Sequence, residues 1–493
     1  MRGLRAGVIA GTATVAAMYL IAPPTGVRPL PDLLQEPVLG LLPGPVFGFL
    51  IDTLQHWGKI LEEAGLVVSM IAALAVLGVV YGLTSRWLSA SSASLATALV
   101  AWLGVVLVLL PLGGAGFLGL GAGPVTPLIW AALLVLYAGV LQLASWTPAP
   151  AVVRDPGRRR ILRLVPLGIG ALGLAYLGIR LVPGWYEGGV HPPEAGLAGP
   201  QPAVTPVRNF FVISKNFSDP VVDPRTWALT VGGLVDRPLR LTLEELTALP
   251  RRTQYATLAC ISNDVGGPLI ATGLFAGVPL SDLLAGSQVQ ASAAHVVFRG
   301  RDDYMESLPL RDVLRAPDIL VAYALNGNAL PREHGFPARM LIPGHYGMKG
   351  PKWLDSIELR AGDVKGYWEG QGWDAQAIVR TTSRIDVPGN GSLLRAGRAF
   401  LVSGIAFAGT RGINRVEVST DDGRSWQAAE VMPALSELTW SSWRYSWTPA
   451  HEGEHALVVR AVDGTGAVQS HQVAPSFPRG ADGYHRIRVA VAH

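Results

Sequence analysis

Five long apolar runs fill the first third of the chain, at residues 6–22, 64–83, 94–112, 125–145 and 161–182. Each has roughly the 17–25 residues needed to cross a hydrocarbon core as a helix. In lipid the backbone must satisfy its own hydrogen bonds, so the pattern predicts a transmembrane helical bundle of five spans over 1–182. A sixth apolar stretch, 37–51, is shorter and is broken by Pro43 and Pro45. It reads as an interfacial or re-entrant segment. Residues 183–206 are rich in proline and glycine and read as a linker. After that the period changes. Short alternating segments such as 226–235 and 294–300 predict strands, with helical stretches at 242–248, 280–284 and 310–314 between them. The two are mixed without strict alternation, which predicts an α+β domain over 207–383. From 384 to 493 only strand-like runs remain, separated by the turn signals Asp421-Asp422-Gly423 and Gly464-Thr465-Gly466. About 110 residues of this kind predict an all-β immunoglobulin-like sandwich. Trp426, Trp440, Trp443 and Trp447 are expected in its core or at an interface.

Composition sharpens this division. Of 493 residues 49% are hydrophobic and 15% charged, with mean hydropathy +0.33. That excludes a disordered chain and argues against a purely soluble enzyme. The formal charge of +4 is unevenly spread: residues 1–182 hold 11 Lys and Arg against 6 Asp and Glu, and the remainder hold 29 against 30. The basicity therefore belongs to the apolar part and gives no reason to expect a nucleic-acid partner. Arg2, Arg5, Arg86, Arg154, Arg158, Arg159 and Arg160 fall on one side of the predicted spans. Asp32, Glu36, Asp52, Glu62 and Glu63 fall on the other, with Arg28 and Lys59. The positive-inside rule then predicts a multi-pass protein of the cell membrane, with a cytoplasmic N-terminus and an extracytoplasmic C-terminal part. The flank Ile-Ala-Pro-Pro is a poor cleavage site, so the first run reads as an uncleaved anchor and not as a signal peptide. The run from Arg158 to Arg163 resembles a twin-arginine export signal and equally suits a charged membrane stop; the sequence leaves both open. His56 is the only histidine before residue 183, which excludes a haem held by two histidines there. The spans carry almost no ionisable groups, so this part reads as an anchor, or as a docking surface in the bilayer for a quinone or a partner.

The single cysteine, Cys260, excludes a disulfide framework, a CxxC zinc site, a cysteine-held iron–sulfur cluster and a CxxCH haem attachment. A lone cysteine is commonly a small buried hydrophobe. A thiolate is also a soft transition-metal ligand. The surroundings bear on that choice. Cys260 lies in Thr257-Leu258-Ala259-Cys260-Ile261-Ser262-Asn263, after NFFVISKNFSDPVVDPRTWALTVGGLVDRPLRLTLEELTALP and before LIATGLFAGVPLSDLLAG. Then comes AYALNGNALPREHGFPARMLIPGHYGMKGPKWLDSIEL. In this order the segments closely resemble the sulfite oxidase family of molybdopterin enzymes over residues 207–384, and the strand-rich part after them resembles that family's dimerisation domain.

The resemblance implies a molybdenum–molybdopterin cofactor. Cys260 matches the thiolate that binds the metal directly. Arg208, Asn209 and Phe211 match the first cofactor contacts, with Arg208 also a candidate anion contact at the catalytic centre. Asp302 matches an acidic position at the pterin, His334 and Arg339 match the HGxPxR motif, and Gly350, Pro351 and Lys352 match a cofactor-contacting loop. An arginine fork and a lysine point charge suit the cofactor's phosphate. The metal would exchange an oxo group with a small-molecule substrate, so no side chain need act as nucleophile. The resemblance further implies a homodimer through the C-terminal domain. No haem domain is expected, so a separate cytochrome or quinone would carry electrons. Two departures bear on the substrate. Asn263 is followed by Asp264-Val265-Gly266-Gly267 where the family usually has arginines, and Trp373 stands where a tyrosine is usual. Three readings therefore stay open: sulfite oxidation, reduction of S- or N-oxides such as methionine sulfoxide, and a non-catalytic membrane scaffold that has kept the fold.

Overall fold

A computed structural model describes residues 2–43, 46, 50, 54, 56–146, 156–182, 189–191 and 199–493. Arg154, most of the 183–206 linker and much of the 37–51 stretch lie outside the described residues. Two compact units result. One comprises the described residues of 2–43, 54–189 and 215–221, and the other those of 190–214 and 222–493.

The first unit is helical: α1 Arg2–Thr25, α2 Leu30–Leu39, α3 His56–Thr84, α4 Ala90–Gly104, α5 Thr126–Ser145 and α6 Pro156–Arg180. Among the described residues four helices are long and apolar enough to cross a membrane: Arg2–Thr25, Trp57–Thr84, Ala90–Leu112 and Thr126–Ser145. The fifth predicted span is also helical, but its apolar part, Leu164–Arg180, is shorter. α1 is the most buried of the four and packs on α3, α5 and α6. Small residues permit this. A Cβ at Gly7 would stand 2.9 Å from Ala75, and one at Gly78 would stand 2.6 Å from the Gly7 Cα. Close backbone approach of this kind brings the helices into tight van der Waals contact. α4 runs on through a π-turn, Val105–Leu109, just before Pro111. Proline has no N–H for the regular ladder, and a wider turn absorbs the loss.

α3 begins before its apolar run and carries Lys59, Glu62 and Glu63. Glu63 is fully buried, its Oε1 3.0 Å from Arg180 Nε at the end of α6. Arg180 also donates to Ser218 Oγ at 2.7 Å and lies over the Tyr19 ring. Gln35 donates to Lys215 O at 2.7 Å, and Phe217 is buried beside Ile60. The helical unit is thus more polar than the apolar runs suggested. Its charges hold residues 215–221, which belong to the same compact unit.

In the second unit the core lies between two sheets. One has strand order β2 Leu239–Thr242, β1 Ala228–Gly233, β10 Leu354–Arg360, β5 His295–Gly300 and β6 Met305–Pro309. The other runs β8 Asn328–Ala329, β7 Leu320–Leu325, β4 Ile270–Pro279 and β3 Arg252–Ala259, with β9 Arg339–Leu341 added on β7. β1 and β10 pair in parallel, which needs a long crossover and confirms the mixed α+β class. The predicted helical stretches form α7 Leu243–Ala248, α8 Leu280–Ser287 and α9 Leu310–Arg315. α7 begins with a capping box between Thr242 and Glu245. A short helix, α10 Tyr367–Gly370, follows β10.

The C-terminal part is all β. It is one eight-strand path in the order β11 Thr382–Val387, β13 Phe400–Phe407, β16 Ser441–Trp447, β15 Gln427–Val431, β14 Ile413–Ser419, β17 Gly453–Asp463, β18 His485–Ala492 and β12 Leu393–Arg395. β12 and β18 pair in parallel. Trp440, Trp443 and Trp447 are buried as expected, whereas Trp426 is half-buried under Arg460 and against Tyr484.

Candidate functional site

β3 delivers Cys260 to the end of its sheet. The Cys260 N–H donates to Leu269 O at 2.9 Å, and its C=O accepts from Asn263 N–H at 3.2 Å, closing a tight turn into β4. Asn263 Oδ1 accepts from Leu269 N–H at 2.8 Å, so this side chain is used to build the loop. The thiol is buried, with Sγ 3.0 Å from Ser262 Oγ. Burial pushes its pKa up, and the Ser262 hydroxyl works against that. A buried thiol of this kind ionises only when something supplies positive charge, as a metal ion does.

The HGxPxR residues converge with the later loop. Gly335, at φ +108, lets the chain turn where a Cβ would lie 3.0 Å from Lys352 Cβ and 3.1 Å from Arg339 Cβ. The loop is stitched by Trp353 N–H to Gly335 O and by Met340 N–H to Pro351 O. Gly350 and Pro351 are buried beside Met340. Asp302 is buried in the hairpin between β5 and β6; Arg301 N–H, next to it, donates to Trp353 O at 2.8 Å. The 207–211 turn closes over His334, with the Phe210 and His334 rings 5.4 Å apart edge to face and Phe211 stacked on Phe210. Asn209 Oδ1 is buried without a hydrogen-bond partner, and Arg208 is exposed.

Electrostatically this is a cationic pocket. His334 is 3% exposed, and burial, with Arg339 and Lys352 adding to it, lowers its pKa to about 3, so the ring is neutral near pH 7. Arg339 is 7% exposed, and burial alone lowers its pKa to about 10. Its guanidinium reaches only two carbonyls, His334 O at 3.3 Å and Met340 O at 3.5 Å, and forms no ion pair among the described residues. A buried arginine without a carboxylate is an uncompensated charge. With the orphaned Asn209 oxygen, it makes a donor and acceptor set suited to a buried anion that carries ring nitrogens.

The 347–350 turn links this pocket to the thiol, since a Cβ at Gly347 would lie 3.6 Å from Ala259 O. Tyr346, beside Cys260, is buried and its hydroxyl pKa is raised to about 12 by that burial. The Tyr346 hydroxyl accepts from Arg380 N–H at 3.3 Å. Arg380 opens a cavity of about 660 Å³ whose walls include Asp374, Arg380, Arg411, Arg479 and Asp482. Arg380 pairs with Asp482, and Arg411 pairs with Asp463 at 2.9 Å. Arg479 is exposed and, like Asp374 on the same walls, forms no ion pair among the described residues. Neither Cys260 nor Arg208 lines this cavity. Trp373 packs edge-on against Phe477, 5.1 Å between ring centres. The 263–267 loop is bound by the C-terminal domain: Arg384 donates to Gly267 O at 2.7 Å, and Gly266 packs against the His485 ring. Tyr346, Arg380 and Arg479 were not singled out in the sequence; only Tyr346 lay inside a motif, Gly-His-Tyr-Gly.

Comparison with known proteins identifies the two domains. Residues 216–368 match the family described as oxidoreductase molybdopterin binding domain, and residues 374–492 match the Mo-co oxidoreductase dimerisation domain. The chain is 32% identical to sulfite oxidase of Gallus gallus over 322 residues, covering 55% of this chain and 69% of that protein. The chain belongs to the sulfite oxidase family of molybdopterin oxidoreductases. The family's cofactor is molybdenum–molybdopterin, and the buried Arg339 and Asn209 groups fit it. It is also 32% identical to mitochondrial sulfite oxidase of Mus musculus over 350 residues, 61% of this chain, and spans 63% of that relative's length. A nitrate reductase [NAD(P)H] of Hordeum vulgare is 28% identical over 283 residues, 46% of this chain and 32% of that one. The sulfane dehydrogenase SoxCD from Paracoccus pantotrophus shares the fold, with TM-score 0.51 and 24% identity, over 58% of this chain and 81% of that one. Residues 1–215, with the six helices described above for the first unit, lie outside both family matches.

Proposed function

We propose that this protein is a membrane-anchored molybdopterin oxidoreductase that oxidises a small sulfur oxyanion of the sulfite type. The observation that supports the substrate class is the cavity beside Tyr346, where Arg380 and Arg411 are paired with Asp482 and Asp463 and Arg479 is exposed without an ion pair among the described residues. In this reading Arg479 supplies a positive charge that Asp264 and Val265, standing where the family usually has arginines, do not.

In this reading Cys260 ligates the metal, and His334, Arg339, Lys352, Asp302, Asn209, Phe211, Gly350 and Pro351 hold the pterin, with Arg208 at its entrance. The molybdenum centre, when bound, supplies oxo transfer and accepts two electrons. The chain's own groups bind and orient. Neutral His334 offers a ring nitrogen without adding charge, Arg339 supplies the anion's counter-charge, and burial excludes water so that both act in a low dielectric. Arg479 draws the substrate anion in. Sulfite and water become sulfate with release of two protons and two electrons, and the electrons pass to a separate cytochrome or quinone.

The helical unit is read as five spans with a cytoplasmic N-terminus. The molybdopterin domain is then extracytoplasmic, and the all-β part is an immunoglobulin-like domain that joins two copies. Four apolar helices and the charge distribution of the loops support this.

The test is a substrate screen on full-length protein purified in detergent from a cofactor-competent host. Sulfite with ferricyanide should turn over, and Arg479→Gln should raise KM for sulfite with little change in kcat. Turnover only of sulfoxides with a reduced viologen would overturn the sulfite reading, and protein without molybdenum would overturn the enzyme.

A further inference from the structure

A second polar centre lies beneath the cofactor loop, made of residues with no assigned role. Lys349 is 1% exposed. Its Nζ donates to Glu306 Oε2 at 2.9 Å, to Ser307 O at 3.3 Å, and to Glu369 Oε1 in a close ion pair. Glu306 is wholly buried and Glu369 is 8% exposed. The chain has shaped itself around this group. A Cβ at Gly366 would fall 2.2 Å from Glu306 Oε2, and the Gly366 N–H is bound by Glu369 Oε2 at 3.1 Å. Tyr304 closes one side, its hydroxyl donating to Met348 O at 2.6 Å and lying 3.3 Å from Glu306 Oε1.

The three charges come from three elements that each carry part of the site. Glu306 is on β6, at the end of the hairpin that holds Asp302. Lys349 is in the turn between Tyr346 and the Gly350–Pro351–Lys352 loop. Glu369 is in α10, and the chain leaves α10 through Gly372 N–H to Glu369 O and Trp373 N–H to Trp368 O, directly into the cavity wall at Asp374. Burying one ammonium with two carboxylates is an expensive way to join elements, and well-packed apolar residues commonly do so at no loss of stability. What an ion triad supplies and an apolar contact does not is direction: one ammonium, three acceptors, fixed angles.

We propose that Lys349 is a positioning residue which, through Glu306 and Glu369, locks the cofactor turn to the wall of the substrate cavity and so sets the geometry at the metal. This rests on the molybdopterin reading above. Removing the ammonium frees the turn and α10 to move separately, which disturbs Tyr346 and Trp373 without removing any group proposed to touch the cofactor.

The experiment uses full-length holoenzyme and three variants: Lys349→Met, Lys349→Arg, and the charge-free triple variant Glu306→Gln, Lys349→Met, Glu369→Gln. The triple variant guards against simple misfolding caused by stranded carboxylates. Molybdenum per chain, melting temperature, kcat and KM, and the EPR spectrum of the enzyme reduced by an artificial donor are measured on each. The expected result is a triple variant that melts like the parent and holds molybdenum, yet has kcat at least tenfold lower and shifted EPR g-values, with Lys349→Arg recovering most of both. A triple variant with the parent's kcat and spectrum would overturn the proposal, as would lost activity that merely tracks lost molybdenum. Because the EPR readout needs no substrate, a wrong substrate assignment leaves this test intact, and parent protein without molybdenum would instead sink the reading on which it rests.

Discussion

Replacing Arg339 by methionine should make the cofactor-free protein more stable while weakening its hold on the cofactor. Burial takes the guanidinium pKa from 12.5 to about 10. At ~1.36 kcal/mol per pH unit, the buried charge opposes folding of the apoprotein by roughly 3 kcal/mol. Its contacts to His334 O at 3.3 Å and Met340 O at 3.5 Å are long, and together they return about 1 kcal/mol. Methionine fills most of the same volume, so the variant apoprotein should gain about 2 kcal/mol, or roughly 4–8 °C in melting temperature. In the holoprotein the sign reverses, because a buried charge-assisted bond to the cofactor is lost. The assay is a pair of thermal melts, on protein from hosts with and without cofactor synthesis, plus molybdenum per chain. A narrower gap between holo and apo melting, with at least tenfold less molybdenum, is expected. An apoprotein that melts lower than the parent, or unchanged molybdenum content, would refute the reasoning and make Arg339 a structural residue.

Cys260→Ser should leave the apoprotein melt within about a degree and abolish turnover; the parent apoprotein thiol, buried with a raised pKa, should react slowly with iodoacetamide at pH 8. His334 titrates at about 3 in the folded apoprotein and near 6.5 unfolded, so between those values the unfolded chain binds the extra proton. Stability therefore falls as pH drops from 6.5 towards 3, by as much as ~4 kcal/mol, and His334→Gln should flatten that slope in denaturant titrations; an unchanged slope would show that the ring is solvated. Glu63→Gln strands Arg180 in the helical unit and should cost about 3 kcal/mol, as broken buried pairs do. Limited proteolysis near residues 215–221 reports it, and cleavage at the parent rate would show that the pair does not hold that segment.

What the sequence disclosed follows from how local each signal is. Apolar runs revealed the helices because crossing lipid is a property of contiguous residues. The runs understated α3, since Lys59, Glu62 and Glu63 lower hydropathy but still form helix once Arg180 and Phe217 receive them. The motif residues around Cys260 and Arg339 were legible because each lies in a contiguous stretch. Lys349 and Arg479 were not. Lys349 draws its meaning from Glu306, 43 positions away, and Glu369, 20 away. Arg479 stands out only because the arginines beside it are paired. No period or spacing encodes an unpaired charge.

The same contrast explains how the two polar centres of the molybdopterin domain differ. Around Arg339 charge is left uncompensated: a cation without a carboxylate, a histidine kept neutral, an amide oxygen without a donor. That region is unstable alone and is completed by what it binds. Around Lys349 the ammonium is met by two carboxylates within the chain, burial raises the Glu306 pKa to about 7, and a glycine makes room for that carboxylate. In the reading proposed above, that region fixes geometry. Turn 347–352 belongs to both, so the two centres are joined through the backbone. In the proposed reading the two centres lie side by side on one turn: one incomplete enough to bind the cofactor, and one held firmly enough to position it.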